Sequence, residues 1–214
     1  MNFALNEVDA MAKKAARGAG YSWGMAEEAG KAARWLCAHE LDGVKALALA
    51  LGLADSADLA QMQPTSLHGN WQASSGALCP LIAGAALADS AAIWGHRGLV
   101  LKNVNAPLLI LPFAALAVQV LGTTLSVNWE GASVVLAKDS VSLASVNPNS
   151  LIAPASQIKI KAGGQIGTLL PKQSRATPTP EDWAVLTGFA GRTYAPATEE
   201  SRLKGAGAGL SDNY

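Results

Sequence analysis

The chain has 214 residues, half of them hydrophobic and only 15% charged, with 16 basic residues matched by 16 acidic ones. That length suffices for one domain with a sizeable core, and that composition excludes disorder over most of the chain. A net charge of zero leaves no electrostatic footprint for nucleic acid or an anionic membrane, and weak self-repulsion favours association with a second copy or a partner.

The first fifty residues read as helical. Asn6 is placed to cap a helix from Glu7 to about Arg17, with Val8, Met11 and Ala15 on one face and Gly18 and Gly20 ending it. Ser22 caps a second helix from Trp23 to about His39, which sets Met25, Ala29, Ala32 and Leu36 on one stripe and Glu27 four residues before Lys31. Asp42 caps a third helix that runs through Val44, Leu47 and Leu51 to Gly52. Between Ala54 and Ser75 the pattern weakens: one helical turn before Pro64, then a polar loop holding His68, Gly69 and Trp71. Leu78 to about Ala91 returns to a small-residue helix, and Trp94 to Gly98 forms a loop into the most apolar part of the chain.

That part, Gly98 to Ser145, organises the rest. Leu99–Leu101 and Leu108–Leu111 are short apolar runs bounded by Asn and Pro and read as buried strands. Pro112 suits the first turn of a helix in which Leu116 and Val120 face the core and Gly122 is the stop. The period then falls to two: Leu125, Val127 and Trp129 alternate with Ser126 and Asn128, Glu130-Gly131 turns the chain into Ser133–Ala137, and Lys138-Asp139-Ser140 turns it again into Val141–Ala144. Ile158, Ile160 and Ile166, alternating with Lys159 and Lys161, read as edge strands. After a Pro/Thr/Ser-rich connector, Thr179-Pro180-Glu181-Asp182 opens a helix with Trp183, Leu186 and Ala190 inward, and Thr198 caps a last short helix, Glu199 to Lys204, ended by the Gly205–Gly209 run.

These elements predict an α+β fold: an N-terminal helical unit packed on a small, mostly antiparallel sheet from Leu99 to Ile166, closed by C-terminal helices. The expected organisation is a single domain over 1–214, with a helical subregion at 1–53, a loop-rich connector at 54–75, a sheet-containing core at 76–170 and connector, helices and tail at 171–214. The run from Ala106 to Leu121 is shorter than the roughly 20 residues that span a bilayer, and Pro112 interrupts it. The N-terminus lacks the basic-then-apolar order of a signal peptide, and Cys37 and Cys79 lie far apart, so two reduced, buried thiols in a cytoplasmic protein are expected.

Chemical motifs are sparse. His39, His68 and His96 have no metal-ligand spacing with each other or with a cysteine, so no metal is expected, although His68 and His96 sit in loops that can converge. Phosphate-loop, dinucleotide and G-x-S-x-G patterns are missing, and no cofactor is implied. The segments AARGAGYSWGMAEEAGKAARWL and RTYAPATEESRLKGAGAGLSDN resemble a family of uncharacterised bacterial proteins of this length, a domain of unknown function. The resemblance implies a bacterial, single-chain, cytoplasmic protein and brings no activity or catalytic residue.

Those two segments also carry the unusual side chains. Tyr21 and Trp23 stand on a glycine-flanked turn ahead of Glu27, Glu28, Lys31 and Arg34; Arg192 and Tyr194 precede Glu199, Glu200 and Arg202. Ordinary ion pairs on solvated helix faces account for most of this charge. Because chain ends often meet, the alternative is a shared cleft with Tyr21 and Trp23 as its apolar wall, Tyr194 also binding the ligand, Arg192 and Arg202 receiving an anion, and Glu28 or Glu199 as acid–base. The primary expectation is an oligomeric subunit, as a homo-oligomer or on an enzyme partner, with no nucleic acid or membrane. An enzyme or a binder for a small anionic metabolite, using that cleft, is the alternative.

Overall fold

A computed structural model describes residues 1–194, so Thr198, Glu199 and Arg202 lie outside the described residues. Leading from the N-terminus, β1 (Phe3–Ala4) enters α1 (Leu5–Gly18), followed by α2 (Trp23–Ala38) and α3 (Gly43–Ala54). A 3-10 turn at Leu59–Met62 precedes β2 (Asn70–Trp71), α4 (Pro80–Asp89), the single turn α5 (Ala91–Trp94) and β3 (Leu99–Val104). Next come α6 (Ile110–Leu121), β4 (Leu125–Trp129), β5 (Ala132–Ala137), β6 (Ser140–Val146), β7 (Ala155–Ala162), β8 (Arg175–Ala176) and α7 (Pro180–Gly191).

The six-stranded sheet has the order β2-β3-β7-β4-β5-β6, antiparallel except for the parallel β2–β3 pair, while β1 and β8 form a separate two-stranded ladder. This is the expected α+β architecture with a mostly antiparallel sheet. Helices α1, α2, α3 and α7 form one packed group, and α4 and α6 pack on each other and on α2, with α6 touching β4 and β5. Small residues permit the close approach: a Cβ at Gly30 would sit 2.9 Å from the Asp9 carbonyl oxygen, one at Gly43 2.9 Å from Leu36 Cβ, and both lie far inside normal contact.

One face of the sheet, with Leu99, Leu101, Leu125, Val127, Leu136, Ile158 and Ile160, is buried against the helices. The other is polar, with Lys102, Asn128, Ser133, Gln157 and Lys159 partly or fully exposed. Gly163 (φ 89°) and Gly164 (φ 133°) turn the chain off β7 and across part of this polar face. A Cβ on Gly164 would lie 3.1 Å from both Val135 methyls, Gly167 N–H donates to Ser142 Oγ at 2.7 Å and Leu170 N–H donates to the Val141 carbonyl at 2.8 Å. This strap is why Val135 and Ser142 are buried on an otherwise wet face.

Several expectations are corrected. Leu108–Leu111 is not a strand: Ala106 adopts a left-handed conformation (φ 47°), Pro107 starts a 3-10 turn and α6 begins at Ile110, with Pro112 in its first turn where no N–H is needed. Leu116 is 45% and Val120 63% exposed, because Phe113, Ala114, Ala117 and Val118 form the inward stripe. With apolar residues on every side of α6, the 3.6-residue period did not distinguish the two stripes. β7 is not an edge but the third strand of six; its alternating lysines mark a wet sheet face. Ile166 lies outside the strands, in the strap. The polar loop contains β2, whose Trp71 is fully buried, its indole N–H without a partner among the described residues. Helix α1 starts earlier than the Asn6 cap, with the Ala4 N–H donating to the Glu7 carboxylate at 2.6 Å. Glu27 pairs with Lys13 and Lys31 with Glu28, each at 2.7 Å, in place of the Glu27–Lys31 pair.

Tyr21 ties the α1–α2 turn to the start of α4. Its hydroxyl and the Cys79 thiol are 3.2 Å apart and both side chains are sealed from solvent. Burial pushes the Tyr21 phenol far above its usual value, and burial likewise pushes the Cys37 and Cys79 thiols up.

Two stability predictions follow from this packing. Leu101, fully buried on the inner face of the sheet, should cost about 2–5 kcal/mol when cut to alanine, while exposed Leu116→Ala should cost less than about 1 kcal/mol, both read by urea denaturation. The second concerns alkaline pH. Groups whose native values are raised keep their full contribution below the unfolded-state values and lose it as pH rises past them, about 8.5 for the thiols and about 10 for the phenol. Unfolding free energy should therefore fall above about pH 8.5, by about 1.4 kcal/mol per pH unit for each group ionised only in the unfolded state. Tyr21→Phe should flatten the fall above about pH 10, and an unchanged slope would contradict the burial assigned to the phenol.

Candidate functional site

The meeting of the two terminal helical regions does occur: α1 packs on α7, with Gly18 against the Phe189 carbonyl and next to Arg192. The side chains expected to form a cleft there are otherwise engaged. Tyr21 points inward to Cys79, so it lines no open wall. Trp23 is 66% exposed with the Arg17 guanidinium 4.6 Å from its ring centre, and the same arginine donates to the Tyr21 carbonyl. Arg192 lies over the Phe189 ring and holds Asp55 through two hydrogen bonds of 2.6 and 3.0 Å, which joins α7 to the end of α3 and draws the Asp55 carboxyl below its usual range. Glu28 is bound to Lys31, and Tyr194 is exposed. Glu199 and Arg202 lie outside the described residues.

Among the described residues, three surface cavities with room for a small molecule stand out, and Tyr21, Trp23, Arg192 and Tyr194 line none of these three. In the first, about 430 Å³ at the α2–α3 corner, three of the polar groups have structural work. Arg175 donates to Asn2 Oδ1 at 2.5 Å, and Asp42 caps α3 by accepting the Lys45 N–H at 3.1 Å. Another is an open apolar trough between α3 and α7, about 380 Å³, with Leu49, Leu53, Ile152 and Val185 along it.

The remaining cavity, about 460 Å³, is chemically distinct. Antiparallel pairing sets the start of β3 beside the end of β7, with Leu99 opposite Ile160 and Val100 opposite Lys159. Lys159 and Lys161, two residues apart on one strand, therefore project from the same sheet face. Arg97 enters from the loop before β3, which approaches β7 closely because Gly98 has φ 75° and its Cβ would lie 2.8 Å from the Ile160 carbonyl oxygen. Only glycine accommodates both that angle and that distance. His68 comes from the loop ahead of β2, whose Asn70 pairs with Val100. Leu67, Ile93, Trp94 and Leu99 supply the apolar lining, and Trp94 is fixed by its indole N–H donating to the Leu87 carbonyl at 2.9 Å.

No aspartate or glutamate lines this cavity, and among the described residues Arg97, Lys159 and Lys161 make no ion pair. Three cations thus face one recess with no counter-charge in its walls, so their potentials add over its opening. Guanidinium and ammonium donors suit phosphate or carboxylate oxygens. The sequence pattern missed this group. Lys159 and Lys161 signalled a shared face, but nothing local linked them to Arg97 or His68; the β3–β7 pairing does so across more than fifty residues of sequence.

His96 is exposed, whereas His39 is buried, its Nδ1 bonded to the Trp35 carbonyl at 2.9 Å. Among the described residues no three His, Cys, Asp or Glu side chains gather as a metal site, and no helix is long and apolar enough to cross a membrane. No curated protein and no solved structure matches the chain. Residues 3–79, from β1 to the residue before α4 and including the first of the two segments that carry the resemblance, match the family described as "Protein of unknown function (DUF3726)".

Proposed function

We propose that this protein binds a small anion, a phosphate- or carboxylate-bearing molecule, in the cavity between the β3–β7 strand ends and the Leu67–Asn70 loop. The observation that carries this reading is the convergence of Arg97, Lys159, Lys161 and His68 on one recess with no carboxylate in its lining. It keeps the anionic-ligand class that the sequence offered as the alternative and moves it from the terminal segments to the sheet edge. Because the cations are exposed, binding weakens as salt rises.

A second reading is supported by a separate observation. Leu116 and Val120, four residues apart on α6, expose an apolar stripe on a molecule of zero net charge. Burying that stripe against a second copy about a two-fold axis gives a homo-oligomer; an enzyme partner is the other occupant of the same class.

Inorganic phosphate should raise the melting temperature relative to chloride at equal ionic strength, since it binds the folded state alone. Arg97→Gln should weaken that binding by about tenfold or more, the loss of a charge-assisted hydrogen bond, while leaving the ligand-free melting temperature unchanged. An equal response to phosphate in wild type and variant would remove the site. For the second reading, light scattering should report a dimer that Leu116→Lys converts to monomer; a wild-type monomer at all concentrations tested would dismiss it.

A further inference from the structure

The cavity is not lined by cations alone. Ile93 is 55% and Leu67 41% exposed, and both border the same recess as Arg97, Lys159 and Lys161. Trp94 and Leu99, also in the lining, are buried, 4% and 3% exposed, so the accessible apolar surface of the recess is that of Ile93 and Leu67. A bare anion would satisfy the cationic wall and leave Ile93 and Leu67 in water. A ligand carrying an apolar group beside its charge would also cover them and gain their desolvation.

From this juxtaposition we infer that the ligand is an amphipathic anion: a short alkyl or aryl phosphate or carboxylate, with its charged group on Arg97, Lys159 and Lys161 and its apolar group against Ile93 and Leu67. This rests on the anion-binding reading of the same cavity and narrows it. About 460 Å³ is within the range of small-molecule pockets, and the lining is divided about evenly between polar and apolar groups, as a ligand with both kinds of surface requires. The recess takes one soluble molecule. A membrane surface would present its anions in a plane, whereas the cations here line a recess of about 460 Å³.

Isothermal titration of the full chain at constant ionic strength distinguishes the levels of this claim. The probes are inorganic phosphate, methyl phosphate, butyl phosphate and phenyl phosphate, with phosphatidylglycerol/phosphatidylcholine vesicles as a separate arm. Butyl phosphate should bind more tightly than methyl phosphate by about fourfold for each methylene buried, with a negative heat-capacity change. Ile93→Ser, and independently Leu67→Ser, should reduce butyl and phenyl phosphate affinity several-fold and leave inorganic phosphate unaffected; both side chains are exposed, so neither change threatens the fold. If inorganic phosphate binds and butyl phosphate binds no better, the amphipathic ligand is wrong and the anion site stands. If no phosphate binds, both fall. Vesicle binding without binding of the monomeric phosphates would overturn the proposal in favour of a membrane surface.

Discussion

The insertion of β7 between β3 and β4 is the constraint on which the rest of the structure depends. β3 and β4 are separated in sequence by α6, and neither pairs with the other; β7 hydrogen-bonds to both, through Leu99–Ile160 and Leu101–Ile158 on one side and Val127–Ile160 on the other. Without that strand the β4–β5–β6 meander and the β2–β3 pair would be two separate fragments, each with an open apolar edge. Such a non-local closure carries an entropic cost that only burial of the shared apolar face offsets, and Ile158 and Ile160 are fully buried on it.

The helical side uses a different physical device. Alanine and glycine dominate the contact faces of α1, α2 and α3, so little apolar area is buried per residue and stability rests on close approach. Gly43 seats α3 against Ala33 and Leu36, and Gly84 receives the Phe113 ring so that α4 and α6 can touch. Larger anchors then lock the arrangement: Phe3 stacks on Trp183 at 3.7 Å and 12°, joining the N-terminus to α7, and buried Tyr21 joins the α1–α2 turn to α4. Such an interface tolerates little added volume, since one methyl has no neighbouring space to enter.

The same sheet that makes the core also separates the charges. Its inner face is apolar, its outer face polar, and the glycine strap covers only part of the outer face. Lys159 and Lys161 are left uncovered at the end of β7, beside the loop that carries Arg97. Elsewhere several cations are paired or stacked: Lys13, Lys31 and Arg192 with carboxylates, Arg17 on Trp23. The cavity at the β3–β7 end is therefore set apart by what its charges face.

Much of this was legible from the sequence because it is local. Ser22, Asp42 and Thr179 cap their helices by accepting the Met25, Lys45 and Asp182 N–H groups, Gly122 ends α6 at φ 64°, and the two hairpins of β4, β5 and β6 follow from period-two alternation and their turn residues. Local backbone chemistry fixes such features, so a few neighbouring residues suffice to read them. The outward stripe of α6, the central place of β7, the burial of Trp71 and the convergence of Arg97 with Lys159 and Lys161 were decided by tertiary structure alone. Each depends on which surface another element covers or which strand lies alongside, and periodicity identifies faces without identifying their partners. The sequence by itself determined the elements and their order; the pairing of β7 decided which faces became core and which charges came to share a cavity, because side chains more than fifty residues apart meet only when strands align.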